Sequence, residues 1–140
     1  MSDDLVLQQR HGNAVLLTLN QGARRNVLSA SLVDAIAAAY DAIEADEGVN
    51  AVVLTGAGPA FCAGAELSVL RAAAEGNFDV VRKVYDGFLR VLRSPVPTIA
   101  AVNGPAVGAG FNLVLACDVR IAGRSAVFDT RFAKLRLHPG

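Results

Sequence analysis

The chain has 140 residues, 53% of them apolar and 19% charged, and its formal net charge is zero. That length supports one domain with its own core. The balanced charge, with arginines in short clusters such as Arg24-Arg25 rather than a stripe, leaves no electrostatic footprint for nucleic acid or an anionic membrane surface. Cys62 and Cys117 lie far apart and form neither a disulfide framework nor a metal-ligand spacing, so they read as reduced thiols of a cytosolic protein.

The N-terminal MSDDLVLQQR is acidic and polar, unlike a signal peptide. Leu5 to Gln9 predicts a strand, His11-Gly12-Asn13 a turn on the surface, and Ala14 to Leu19 a second strand, together a hairpin. A polar loop over Asn20 to Asn26 follows. Ser29 or Ser31 can cap a helix running to about Ala45, with Leu32, Val33, Ile36, Tyr40 and Ile43 on one face. Ala51 to Thr55 is wholly apolar up to its last residue and predicts a strand covered on both faces. After a Gly/Pro loop over Gly56 to Ala65, two helices are expected, Ala65 to Ala74 and Asp79 to Leu92.

Ser94 to Cys117 carries no charged side chain, but its prolines, asparagines and glycines break it too often for a membrane-spanning helix. It reads as a strand over Thr98 to Val102, a turn at Asn103-Gly104-Pro105, and a buried helix over Gly108 to Ala116. Short strands over Asp118 to Ala122 and Ala126 to Phe128 complete the order β-β-α-β-α-α-β-α-β-β. That alternation predicts an α/β protein with mostly parallel pairing after the first hairpin.

Two segments carry the chemistry. Gly56 to Leu67 and Val102 to Asn112 each run from a strand through a loop of small residues into a helix start. Backbone N–H groups there suit developing negative charge, and small side chains admit close approach. Each loop taken alone also fits tight packing between strand and helix. The second is not a phosphate-binding loop, since no Lys-Ser/Thr pair follows its glycines, and the third glycine of the dinucleotide fingerprint is missing. Two donors converging from separate loops would make an oxyanion hole.

Several ordered motifs resemble the enoyl-CoA hydratase/isomerase (crotonase) family: Arg25-Asn26-Val27-Leu28, Phe61-Cys62-Ala63-Gly64-Ala65-Glu66-Leu67, Ala101 to Gly110, and Leu115 to Ala122. The resemblance implies a crotonase-like (ClpP/crotonase) ββα spiral over 1–140 as a single core domain, ending before the family's C-terminal helices. It implies oxyanion donors at the Ala65 and Ala109 N–H groups. The substrate would be a CoA thioester, with no other cofactor and no metal, in fatty acid metabolism in the cytoplasm. Arg24, Arg25, Ala63 and Ala65 would meet the CoA, and the full-length protein would form a homo-oligomer, a trimer or hexamer.

The same resemblance places the two hydratase glutamates at Asn112 and Phe132, neither of which is a carboxylate. Asn112 can order water but cannot exchange a proton. Glu66 and Asp129 are the replacement acids to consider, although a capping or solvated role suits each. A second expectation therefore stands beside the enzyme: an acyl-CoA-binding protein without chemistry, or an inactive shortened homologue. Cys62 reads as a small buried residue rather than a nucleophile, and Asp118 as an anchor for backbone or a partner of Arg120 or Arg124. The apolar surface those missing helices would cover predicts association.

Overall fold

The computed structural model describes residues 3–136 and 138. A hairpin of β1 (Val6–His11) and β2 (Ala14–Leu19) opens the chain, followed by a short 3-10 turn at Gly22–Arg24 and helix α1 (Ala30–Glu44). Strand β3 (Ala51–Gly56) leads through a long loop to α2 (Leu67–Ala74) and α3 (Asp79–Leu92). Then come β4 (Thr98–Val102), β5 (Pro105–Val107), α4 (Ala109–Leu115), β6 (Val119–Ala122) and β7 (Val127–Asp129).

The main sheet has the order β1-β2-β3-β4-β6. Only the β1–β2 pair is antiparallel; β2–β3, β3–β4 and β4–β6 are parallel, with Leu17 opposite Leu54 and Val53 opposite Ile99. This is the α/β architecture the alternation predicts, each parallel connection crossing over through helix.

Ser29, not Ser31, starts α1: its Oγ accepts from the Leu32 N–H at 3.2 Å. The predicted face of α1 is buried throughout, Leu32, Val33, Ile36, Tyr40 and Ile43 being at most 2% exposed. It packs on α3 and on the sheet, where the buried Tyr40 hydroxyl bonds Thr98 Oγ1 at 2.7 Å. Arg90 of α3 ties the two helices from outside, reaching Asp41 at 2.7 Å and Glu44 at 2.8 Å.

Two expectations need correction. Strand β3 is not covered equally on both faces: Val52 and Leu54 are buried, whereas Val53 and Thr55 on the other face are half-buried. The turn expected at Asn103-Gly104-Pro105 continues into strand β5, which pairs in parallel with β7 as a separate two-stranded sheet, Ala106 opposite Phe128. Three residues carry no readable period, and the partner that makes them a strand lies far along the chain. Proline can begin such a strand, having no N–H to leave unpaired; its carbonyl accepts from the Phe61 and Cys62 N–H groups at 3.1 and 3.2 Å.

Among the described residues no helix is long and apolar enough to cross a membrane.

Candidate functional site

The loop after β3 is held by two asparagine side chains from elsewhere. Asn26 is fully buried in a left-handed conformation, φ 53°. Its Nδ2 donates to the carbonyls of Ala57 and Ala60 at 3.0 Å, while its Oδ1 accepts from the Gln21 N–H at 2.8 Å. Asn103, leaving β4, donates from Nδ2 to the Gly56 carbonyl at 2.8 Å and accepts at Oδ1 from the Gly56 N–H at 3.1 Å. Together they satisfy backbone groups that a tight interior loop cannot satisfy itself.

The far end of this loop runs beside Leu28. The Leu28 N–H donates to the Gly64 carbonyl at 2.8 Å and the Leu28 carbonyl accepts from the Glu66 N–H at 3.4 Å, a parallel bridge centred on Ala65. In such a bridge the central residue's own N–H points to the opposite side. The Ala65 N–H therefore faces away from Leu28.

The second loop meets the first at Cys62. The Cys62 N–H donates to the Pro105 carbonyl and the Val107 N–H to the Cys62 carbonyl, at 3.2 and 3.0 Å. Gly110 makes the approach possible, since a Cβ there would lie 2.1 Å from the Cys62 carbonyl oxygen. Gly108 precedes α4 with φ 55°, and its N–H donates to the Asp129 carbonyl at 2.8 Å. The Ala109 N–H is the first of α4 and has no carbonyl one turn earlier within the helix. Neither the Ala65 nor the Ala109 N–H donates to a carbonyl among the loop and turn hydrogen bonds of the described residues.

Ala65, Ala109 and Asn112 line one cavity of about 260 Å³, together with Phe132 and His138. Its other walls are apolar: Val69, Leu70 and Ala73 of α2, and Phe78, Val81, Val84, Tyr85 and Phe88 on and before α3. The rings of Tyr85 and Phe88 pack against each other with centroids 5.0 Å apart and planes tilted by 53°. The two positions matched to carboxylates thus reach the same cavity as both N–H-bearing alanines, carrying an amide and a phenyl ring.

The remaining site residues lie elsewhere. Glu66 is ion-paired with Arg24, and both border a separate cleft with Ala63, Val27 and Leu67. Ala65 borders that cleft as well as the cavity. Arg25 opens onto a third groove with Ala63, Asp129 and Arg131, and its carbonyl accepts from the Ala63 N–H at 2.9 Å. Asp129 bonds the Arg131 guanidinium at 2.9 Å, which holds its carboxyl below the ordinary carboxylate range. Neither Glu66 nor Asp129 lines the cavity. Asp118 anchors backbone, its Oδ2 accepting from the Thr98 N–H at 2.8 Å. Burial pushes the Cys62 thiol up to about 12, leaving it protonated and inert.

Sequence reasoning did not find the clamping roles of Asn26 and Asn103, nor the aromatic wall of α3. Asn103 before Gly-Pro was readable as a turn residue, but its bonds reach back to β3, which no local pattern encodes.

Residues 9–140 match the enoyl-CoA hydratase/isomerase family, and the chain belongs to it. Over 138 residues it is 51% identical to the "Probable enoyl-CoA hydratase EchA14" of Mycobacterium tuberculosis, covering 98% of this chain and 54% of that one. It is 35% identical over 138 residues to the human mitochondrial methylglutaconyl-CoA hydratase, covering 96% of this chain and 40% of the other. Among solved structures, the enoyl-CoA hydratase of Mycobacterium smegmatis superposes with a TM-score of 0.87 at 37% identity, over 97% of this chain and 54% of that one. The fold is accordingly crotonase-like, and the chain spans about half the length of such relatives.

Proposed function

We propose that the cavity takes the acyl part of a CoA thioester, with the thioester oxygen between the Ala65 and Ala109 N–H groups. The observation that carries this reading is the convergence of two glycine-spaced loops on one apolar cavity, each presenting an N–H not taken by a loop carbonyl. Such a pair stabilises the enolate formed when a proton leaves the α-carbon, each donor being worth about 3–4 kcal/mol in the transition state. The apolar walls from α2 and α3 suit an acyl chain, consistent with fatty acid metabolism. Arg24, bordering the cleft it shares with Ala65, and Arg25, bordering the neighbouring groove, supply guanidinium groups suited to the CoA phosphates. Asn112 orders a water or a polar substrate group. A homo-oligomer of the whole protein belongs to the same reading.

A second reading is binding without turnover, favoured by the absence of any carboxylate among the described residues that line the cavity. Calorimetric titration with butanoyl-CoA tests what the two readings share, and a hydratase and isomerase assay on wild type and Asn112→Glu separates them. Turnover by the wild-type chain rules out the binding-only reading. Failure of the folded chain to bind rules out both.

A further inference from the structure

The Ala65 N–H shares a rigid peptide plane with the Gly64 carbonyl, so its direction depends on how segment 64–66 is held against Leu28. The two ends of that segment are held unequally. The Gly64 carbonyl accepts from the Leu28 N–H at 2.8 Å, whereas the Glu66 N–H reaches the Leu28 carbonyl only at 3.4 Å, longer than an ordinary backbone bond. Beyond Glu66, α2 buries none of its residues, and Leu67 is 69% exposed. The Glu66 side chain stands at the start of α2 but makes no cap bond to the helix. It turns instead to Arg24.

Arg24 is the firmer partner. It sits in the 3-10 turn, where its N–H donates to the Gln21 carbonyl at 2.9 Å and the Arg25 N–H to the Gly22 carbonyl at 3.0 Å, just before the fully buried Asn26. The ion pair therefore joins the same two stretches of chain as the Leu28–Ala65 bridge, at the end where the bridge is weaker. It uses one of the five guanidinium N–H groups, which leaves Arg24 donors for phosphate. Both side chains stay partly in solvent, so the pair adds little to global stability. Its effect is local, on the residue that follows the donor.

We propose that Glu66, through its ion pair with Arg24, is a positioning residue that fixes the Ala65 N–H toward the thioester oxygen, an inference that rests on the acyl-CoA reading given above. The carboxylate touches no substrate atom. It holds the end of the first loop against the rigid turn that carries Arg24, and the N–H keeps its aim into the cavity. The pair also joins the two ends of the ligand: the guanidinium that meets the CoA phosphates is tied to the loop that meets the carbonyl.

The test compares two ligands by calorimetry: butanoyl-CoA, and S-butyl-CoA, the thioether in which a methylene replaces the carbonyl. The ratio of their dissociation constants reads the bonds to the carbonyl oxygen, and any contact of Arg24 with the CoA phosphates cancels from it. Wild type is expected to prefer the thioester by at least about five-fold, the scale of two modest hydrogen bonds. Glu66→Gln and Arg24→Gln should each cut that preference about two- to five-fold, the span of an exposed ion pair. The double variant should cut it no further than either single one, since both remove the same interaction. Circular dichroism checks that each variant is folded. Three results overturn the positioning role and leave the acyl-CoA site standing: an unchanged preference in Glu66→Gln, additive losses in the double variant, or an Arg24→Gln chain that binds both ligands more weakly with their ratio intact. A wild type that binds both ligands equally removes the oxyanion reading and the proposal with it; absence of binding removes the site itself.

Discussion

At Gly110 the two loops approach so closely that hydrogen is the only substituent the Cys62 carbonyl allows. Gly110→Ala must push α4 away from the first loop, an overpacking cost of about 1–3 kcal/mol. A shift of that size separates the Ala65 and Ala109 N–H groups, so the variant should lose acyl-CoA affinity while still folding. Urea unfolding and calorimetry read the two effects, and a variant that binds normally contradicts the convergence argument. Asn26 bears a different burden, since its amide serves carbonyls the loop cannot pair. Asn26→Ala leaves several buried acceptors without a donor, at about 1–3 kcal/mol for each. It should sharply lower the unfolding midpoint, whereas a loss under about 1 kcal/mol would mean that water replaces the amide.

The buried thiols give a pH signature. Cys62 and Cys117 are pushed from 9.0 to about 12, chiefly by burial, and burial raises Tyr40 in the same sense. The fold prefers the protonated form of all three. That contribution is intact below about pH 9 and is lost as pH rises from there toward 12. Unfolding midpoints should hold near neutrality and fall in the alkaline range; midpoints unchanged to pH 11 would show the thiols are not buried in solution.

At the scale of elements, the N-terminus of α1 is the clearest case for a local cap. Ser29→Ala should cost about 1 kcal/mol, while Ser31→Ala, on an exposed position in the first turn, should cost little. Equal effects in thermal unfolding would put the cap elsewhere. The same helix shows why much of the fold was legible in sequence. Its apolar face repeats at helical spacing, and that face is the one buried. The parallel strands were legible as apolar runs between helices. Strand β5 was not, because it is a strand only through β7, and neither were the Asn26 and Asn103 clamps, whose bonds span distant segments. For the site, the resemblance of the two glycine-spaced loops to the family's motifs implied Ala65, Ala109 and the position of Asn112, whereas the loops alone were equally readable as tight turns. Glu66 was misleading by adjacency: it neighbours Ala65 in sequence, but its carboxylate turns to Arg24.

Across the whole molecule the apolar surface is unevenly placed. Strand β6 ends the main sheet among the described residues, with its outer ladder unpaired, and Val119 and Ile121 are 49% and 61% exposed. Leu115 at the end of α4 and Val127 and Phe128 on β7 are exposed as well, all within one stretch of chain. An edge strand carrying exposed apolar side chains invites pairing with another chain, and its own charge defence is Arg120, turned back to the Cys117 carbonyl at 2.7 Å. The 140-residue chain should therefore self-associate as its concentration rises. Sedimentation velocity across a concentration series should show growth in mass, and Ile121→Lys should suppress it, because a charge on the edge opposes a second strand. The substitution lies outside the cavity-lining residues, so acyl-CoA binding should survive it. If Ile121→Lys leaves association unchanged, β6 is not the contact; if the wild-type chain stays monomeric throughout, the exposed strip alone does not drive assembly.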